Sequence, residues 1–156
     1  MNWPLSFKHQ LLLIFLLFCV TSFVLGAPRQ FHKRNTHVFS LIGVIECNTN
    51  RSALDYNDYG CYCGLGGVGI PVDEIDTCCQ HHDQCYDRLA INGTCGRLSE
   101  YLGVYDWTCE QERTVCAEPT SDSEEKSCGH RLCLCDARLA ACLAQYEYNE
   151  KKACVD

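Results

Sequence analysis

The sequence predicts a mainly α, disulfide-rich fold. Its parts are two long antiparallel helices cross-linked by disulfides, an N-terminal amphipathic helix, a glycine-rich loop and a small β-hairpin. Three observations carry that expectation. Fourteen of the 15 cysteines fall from Cys47 onward in a chain of 156 residues. Two helical stretches each hold a cysteine pair seven residues apart, Cys78 with Cys85 and Cys135 with Cys142. The stretch YGCYCGLGGVG over 59–69 holds five glycines, which suits a loop visiting positive φ and not regular structure.

The chain opens on a targeting pattern. Lys8 and His9 precede an apolar run over 11–20 that fades by residue 25, with small Gly26 and Ala27 behind it. Such a run is short for a bilayer span and reads as a secretory signal peptide over 1–26 rather than a membrane anchor. The dibasic Lys33-Arg34 closes a short basic stretch, so 27–34 reads as a propeptide and 35–156 as the mature domain. In a secreted, extracellular chain the fourteen remaining cysteines imply up to seven bridges. Bridges of this kind are worth about 2–5 kcal/mol each, so one small domain need not rely on a large core.

Charge narrows the partners. All 20 acids follow Arg34, against nine of the 13 basic residues, which leaves the mature chain at a net −11. No basic stripe remains to meet nucleic-acid phosphates, and attraction to strongly anionic membranes is disfavoured. Asn50-Arg51-Ser52 and Asn92-Gly93-Thr94 are N-glycosylation sequons, which makes Asn50 and Asn92 candidate glycan acceptors.

The elements follow in order. Over 37–47, Val38, Leu41, Ile42 and Ile45 recur at helical spacing on one face. After the glycine loop, Pro71 and the acids Asp73, Glu74 and Asp76 mark a helix start, with negative charge at the positive end of the dipole. This helix is expected over 71–89. Loosely alternating residues over 107–117 suggest a hairpin turning at Gln111-Glu112. A polar loop over 121–126 then leads into a second long helix expected over 128–146.

Helical geometry turns the cysteine spacing into a register. With Cys78 at 0° and about 100° per residue, Cys85 falls near 340°, almost above it after two turns. If the helices are antiparallel, Cys85 meets Cys135 while Cys78 meets Cys142, since seven residues span about 10.5 Å on both. The pairing is not forced, because fourteen cysteines allow on the order of 10⁵ connectivities. In this register Asp136 stands about 3 Å along the axis from His82, within reach of an imidazole. Cys79, Tyr86 and Asp83 lie on the side of His82, at roughly 80–140°, and leave His81 on the other flank as a partly solvated structural histidine.

Several chemistries lack support. Structural zinc wants thiolates, which an oxidising compartment would pair. A labile CxxC pair is absent, and so is the GxSxG of a serine hydrolase. What remains is a histidine with a nearby acid, and a second acid beside a glycine loop.

At this point YGCYCGLGG over 59–67, DTCCQHHDQCY over 76–86 and CLCD over 133–136 closely resemble the secreted, calcium-dependent phospholipase A2 family. The resemblance runs from His37 to Cys154 and favours the pancreatic and elapid-venom subgroup. It implies calcium-dependent hydrolysis of the sn-2 ester of glycerophospholipids at a membrane surface by a monomeric, peripheral enzyme, with receptor binding as a second partner class. It implies that the carbonyls of Tyr62, Gly64 and Gly66, with the Asp83 carboxylate, bind Ca²⁺, an ion that takes six to eight oxygens. His82 is implied as general base, Asp136 as its orienting acid, and Tyr86 and Tyr105 as hydrogen-bond donors to Asp136. The Gly64 N–H is implied as an oxyanion donor and Tyr101 as a contact to substrate phosphate. Val38, Leu41 and Ile45 would be core on one side and substrate channel on the other, and Leu65 a membrane contact. The resemblance also implies Cys47–Cys109, Cys61–Cys154, Cys63–Cys79, Cys95–Cys128 and Cys116–Cys133 beside the two inter-helix bridges. Ser40 departs from a family glutamine that anchors the N-terminus. Asn35-Thr36 would precede the family's usual first position, and the loop between Cys116 and Cys128 is long and acidic.

Overall fold

The computed structural model describes residues 37–96, 98–99, 103–119 and 124–155, apart from the side chains of 37–38 and 124–126. The expected signal peptide and propeptide, Asn35, Thr36 and Tyr101 lie outside the described residues, as does the side chain of Val38. Three α-helices and one hairpin are found among the described residues. Helix α1 spans His37–Thr49, a 3₁₀ turn spans Ala53–Asp55, α2 spans Glu74–Ile91, strands β1 and β2 span Trp107–Glu110 and Arg113–Cys116, and α3 spans Glu124–Leu143.

Helix α1 outruns its expected end by two residues, with the Asn50 N–H still donating to the Glu46 carbonyl at 3.0 Å and Thr49 Oγ1 donating back to the Ile45 carbonyl at 2.8 Å. Helix α2 begins at Glu74 and not at Pro71. The backbone of Asp73 is extended (φ −166°, ψ −168°), and its carboxylate accepts the Asp76 N–H at 3.0 Å. Asp73 is therefore the N-cap, and Pro71 lies outside the helix. Two residues are gained at the other end, where Asn92 caps α2.

Helix α3 starts four residues before the expected 128 and stops at Leu143 rather than 146. The chain tightens there through i→i+3 bonds from Gln145 N–H to the Cys142 carbonyl and from Tyr146 N–H to the Leu143 carbonyl. The hairpin is antiparallel, pairing Trp107 with Cys116 and Glu110 with Arg113. Its turn residues Gln111 and Glu112 both take left-handed φ, 51° and 60°, the twist that a two-residue hairpin requires.

Helix α3 packs against both α1 and α2, and β2 contacts α3 and α1. Val44 of α1 and Leu132, Ala140 and Leu143 of α3 form the dry centre. Trp107 is buried there as packing, not as a lipid contact.

Seven disulfides hold these parts: Cys47–Cys109, Cys61–Cys154, Cys63–Cys79, Cys78–Cys142, Cys85–Cys135, Cys95–Cys128 and Cys116–Cys133. The pairs Cys78–Cys142 and Cys85–Cys135 have Cα separations of 5.8 and 5.9 Å, so the equal seven-residue spacing does set the antiparallel register of α2 on α3.

Candidate active site

The register places His82 of α2 opposite Asp136 of α3. His82 Nε2 lies 2.8 Å from Asp136 Oδ1. Asp136 is fully buried and also accepts from the hydroxyls of Tyr86 and Tyr105, one on each carboxylate oxygen. Three donors thus converge on one acid. Because a carboxylate offers only acceptors, the His82 Nε2 carries its proton toward Asp136, and Nδ1 is left as the ring's lone-pair nitrogen. Nδ1 faces the side of Asp83, whose Oδ1 is 3.9 Å away, beyond hydrogen-bond reach. The Tyr86 ring packs on the imidazole with centroids 4.2 Å apart, which further fixes its tilt. Burial, then the Asp136 charge and hydrogen bond, push the Tyr105 phenol well above the ordinary tyrosine range.

His82, Asp83, Tyr86 and Cys79 open onto one cavity of about 520 Å³. Its floor is apolar and comes from α1 and α3 through Leu41, Ile45, Leu139 and Leu143. Its other wall is the glycine loop, with Tyr62, Gly64, Leu65 and Gly66. His81 is exposed and lines no part of it. Asn50 and Asn92 are both exposed, and Ser40 is buried on α1.

The loop is held from behind by Asp76. This residue is the expected first-turn acid of α2, but it has a further role that the sequence did not reveal. It is completely buried, and it accepts the backbone N–H groups of Cys61 (2.8 Å), Tyr62 (2.7 Å) and Val72 (2.9 Å). Gly60 makes this approach feasible: it sits at φ 61°, and a Cβ there would come within 2.2 Å of the Asp76 carboxyl carbon. A signal did exist. Asp76 is seven residues before Asp83 and falls near 160° on the same wheel, on the face that meets the loop. Ile42 also lines the cavity beside the expected Leu41 and Ile45.

The loop and Asp83 together can hold a cation. All fourteen cysteines from Cys47 onward are in disulfides, so no thiolate is offered among them. No group of three or more His, Cys, Asp or Glu side chains gathers as a metal cluster among the described residues. What the site offers is oxygen: one carboxylate and the carbonyls of a loop whose Gly64 and Gly66 take φ of 157° and 72°. That donor set suits a hard cation such as calcium.

The sequence comparisons decide the class of this arrangement, a carboxylate-held histidine lining a cavity with a glycine loop opposite. Residues 38–153 match the family model described as phospholipase A2. The chain belongs to the phospholipase A2 family. It is 40% identical over 141 residues to the rat group 10 secretory phospholipase A2, covering 90% of this chain and 87% of the relative. The mouse group 10 secretory phospholipase A2 is 42% identical over 125 residues, covering 80% and 77%. A rabbit phospholipase A2 is 38% identical over 120 residues, covering 74% and 80%. The chain is thus a phospholipase A2, an enzyme of phospholipid hydrolysis.

The Tyr105 environment gives a sign for pH dependence. A phenol whose folded pKa is raised contributes stability that is complete below the unfolded value of about 10 and is lost as pH climbs above it. Denaturant titrations of wild type and Tyr105→Phe are expected to show a constant stability difference at pH 7–9. Above pH ~10 the wild type should lose ground by about 1.4 kcal/mol per pH unit relative to the phenylalanine protein.

Proposed function

We propose that this phospholipase A2 is a secreted, extracellular enzyme that hydrolyses the sn-2 ester of glycerophospholipids at membrane surfaces in a calcium-dependent reaction, releasing a fatty acid and a lysophospholipid. The observation that supports it best is the His82–Asp136 pair, whose other ring nitrogen stands on the side of Asp83 and whose histidine lines a cavity shared with Asp83 and the glycine loop. His82 Nδ1 takes a proton from water as the water oxygen attacks the ester carbonyl. Asp136 holds the ring in the required tautomer and offsets the charge of the imidazolium, while Tyr86 and Tyr105 keep the carboxylate in place. The imidazolium then returns the proton to the departing glycerol oxygen. The Gly64 N–H donates to the oxyanion.

The carbonyls of Tyr62, Gly64 and Gly66 and the carboxylate of Asp83 are the calcium ligands in this reading. Bound there, calcium would supply Lewis-acid stabilisation of the oxyanion. General-base assistance is worth about 10²–10⁴-fold, so metal and oxyanion donor share the remaining rate enhancement. Leu41 and Ile45 would take the acyl chain in the apolar part of the cavity, Val38 is proposed to contact substrate as well, and Tyr101 is proposed to contact the substrate phosphate. Leu65, Val68 and Ile70 are each more than four-fifths exposed, which supports peripheral contact of this loop with lipid. Asn50 and Asn92 are proposed glycan acceptors.

Three outcomes test this reading. Fatty-acid release from sn-2-labelled phosphatidylcholine should fall to background in excess chelator and return on adding calcium; release that survives complete chelation overturns the calcium-dependent mechanism. His82→Gln should fold and bind calcium while kcat drops by at least about 10³-fold, and normal turnover by that protein removes His82 as the base. Because the mature chain carries a net −11, zwitterionic vesicles should be turned over faster than strongly anionic ones of matched packing, and equal or faster anionic turnover refutes that preference.

A further inference from the structure

The chain beyond α3 has no place in the hydrolysis reading, yet it is stitched along the segment that feeds the glycine loop. The Tyr148 ring lies between Tyr56 and Tyr59, at centroid distances of 5.3 and 5.5 Å, and the Arg51 guanidinium carbon stands 4.5 Å from the ring centre. The Tyr148 hydroxyl donates to the Asp55 carbonyl at 3.0 Å. Lys151 Nζ donates to the Asn57 carbonyl at 2.6 Å. The Lys152 carbonyl accepts the Gly60 N–H at 2.7 Å, and Cys154 is bonded to Cys61. Residues 148–154 therefore form a strap that runs beside 51–61 as far as the first loop residue.

The strap and α2 meet on one side chain. Lys152 Nζ lies 2.8 Å from Asp73 Oδ2, which also accepts the Tyr59 hydroxyl at 2.5 Å, while Asp73 Oδ1 caps the helix at the Asp76 N–H. Three successive N–H groups are then anchored in order: Gly60 by the Lys152 carbonyl, Cys61 and Tyr62 by the Asp76 carboxylate. These amides immediately precede the Tyr62 carbonyl, the first calcium ligand of the proposed site. We infer that the C-terminal strap, through Lys152, is a positioning device for the calcium loop, so that the affinity of the metal site depends on a side chain that never touches the metal. The inference rests on the calcium reading given above.

Electrostatics and positioning predict opposite signs, which makes the test sharp. Lys152 is a half-exposed cation near the site. Coulomb repulsion alone would let Lys152→Met bind calcium more tightly. Positioning predicts weaker binding, because the loop must be ordered by the metal itself. Calcium alone is titrated calorimetrically into the mature protein and its variants, alongside melting temperature and turnover at saturating calcium. Lys152→Met is expected to raise the calcium Kd about three- to tenfold while turnover at saturating calcium stays within about twofold. Lys152→Arg should restore the Kd, and Tyr148→Phe, which keeps the ring and loses the bond to Asp55, should give a smaller shift in the same direction. Asp83→Asn separates the two readings. If it abolishes calcium binding while Lys152→Met leaves the Kd unchanged or tighter, or lowers only the melting temperature, the strap inference is overturned and the calcium site stands. If Asp83→Asn binds calcium like the wild type, the site reading fails and the inference falls with it.

Discussion

The molecule depends first on the rigid register between α2 and α3. Two disulfides seven residues apart on each helix act as a pair of rungs, and a pair of rungs fixes both the offset and the rotation of one helix on the other. A single bridge would leave a pivot. The imidazole–carboxylate contact lies between the rungs, so neither residue can slip along its helix without straining a covalent bond. That rigidity matters because a hydrogen bond of 2.8 Å tolerates little displacement. It also frees the core from sole responsibility for the geometry. The dry centre around Val44, Leu132 and Leu143 is small, and a chain of this size gains much of its stability by cross-linking.

A second constraint operates at right angles to the first. The loop opposite His82 has hydrogen bonds of its own from the Cys63 N–H to the Tyr59 carbonyl and from the Tyr62 hydroxyl to the Gly69 carbonyl, and it is also held from outside. Cys63–Cys79 ties it to the side of α2, and Asp76 gathers three backbone amides from its two ends. The strap closes the remaining side through Gly60 and Cys61. Glycines supply the conformations, but buried polar anchors select one of them. A loop so held can present carbonyls at low reorganisation cost, which is the condition for binding a hard cation with a single carboxylate.

Much of this was legible in the sequence, and the reasons differ by element. Equal cysteine spacing is a geometric statement, so the helix pair and the approach of His82 to Asp136 could be read from periodicity. The hairpin was legible as alternation around Gln111-Glu112, although neither turn residue is the glycine that left-handed φ favours. Helix ends were less legible. Pro71 and three acids look like a first turn, yet Asp73 stands outside the helix because its carboxylate bonds better as a cap than its backbone does as a turn. Asp76 was hidden for a related reason. An acid near a helix start usually serves the dipole at the surface, and burial of this one depends on loop amides arriving from fifteen residues upstream. The strap left no periodic trace, because its contacts are single and of mixed kind: a ring, a backbone carbonyl, an ion pair, a disulfide and side chains reaching backbone carbonyls.

The two buried acids of the helix pair are met by different kinds of donor. Asp76 and Asp136 are both completely buried, and isolating a carboxylate from water is costly unless donors replace the solvent. Each receives three. Those of Asp76 are backbone amides, whose protons never leave and whose positions follow the chain. Those of Asp136 are side chains, two phenols and an imidazole. Of the three, the imidazole and the Tyr86 ring also line the cavity. In the proposed reaction, charge arriving on the imidazole would be met by a carboxylate already desolvated and already aimed, so little would have to reorganise. The same expensive group is thus a fixed clamp at Asp76 and, in the proposed mechanism, a counter-charge at Asp136. The difference lies in the donors, backbone amides at one acid and side chains at the other.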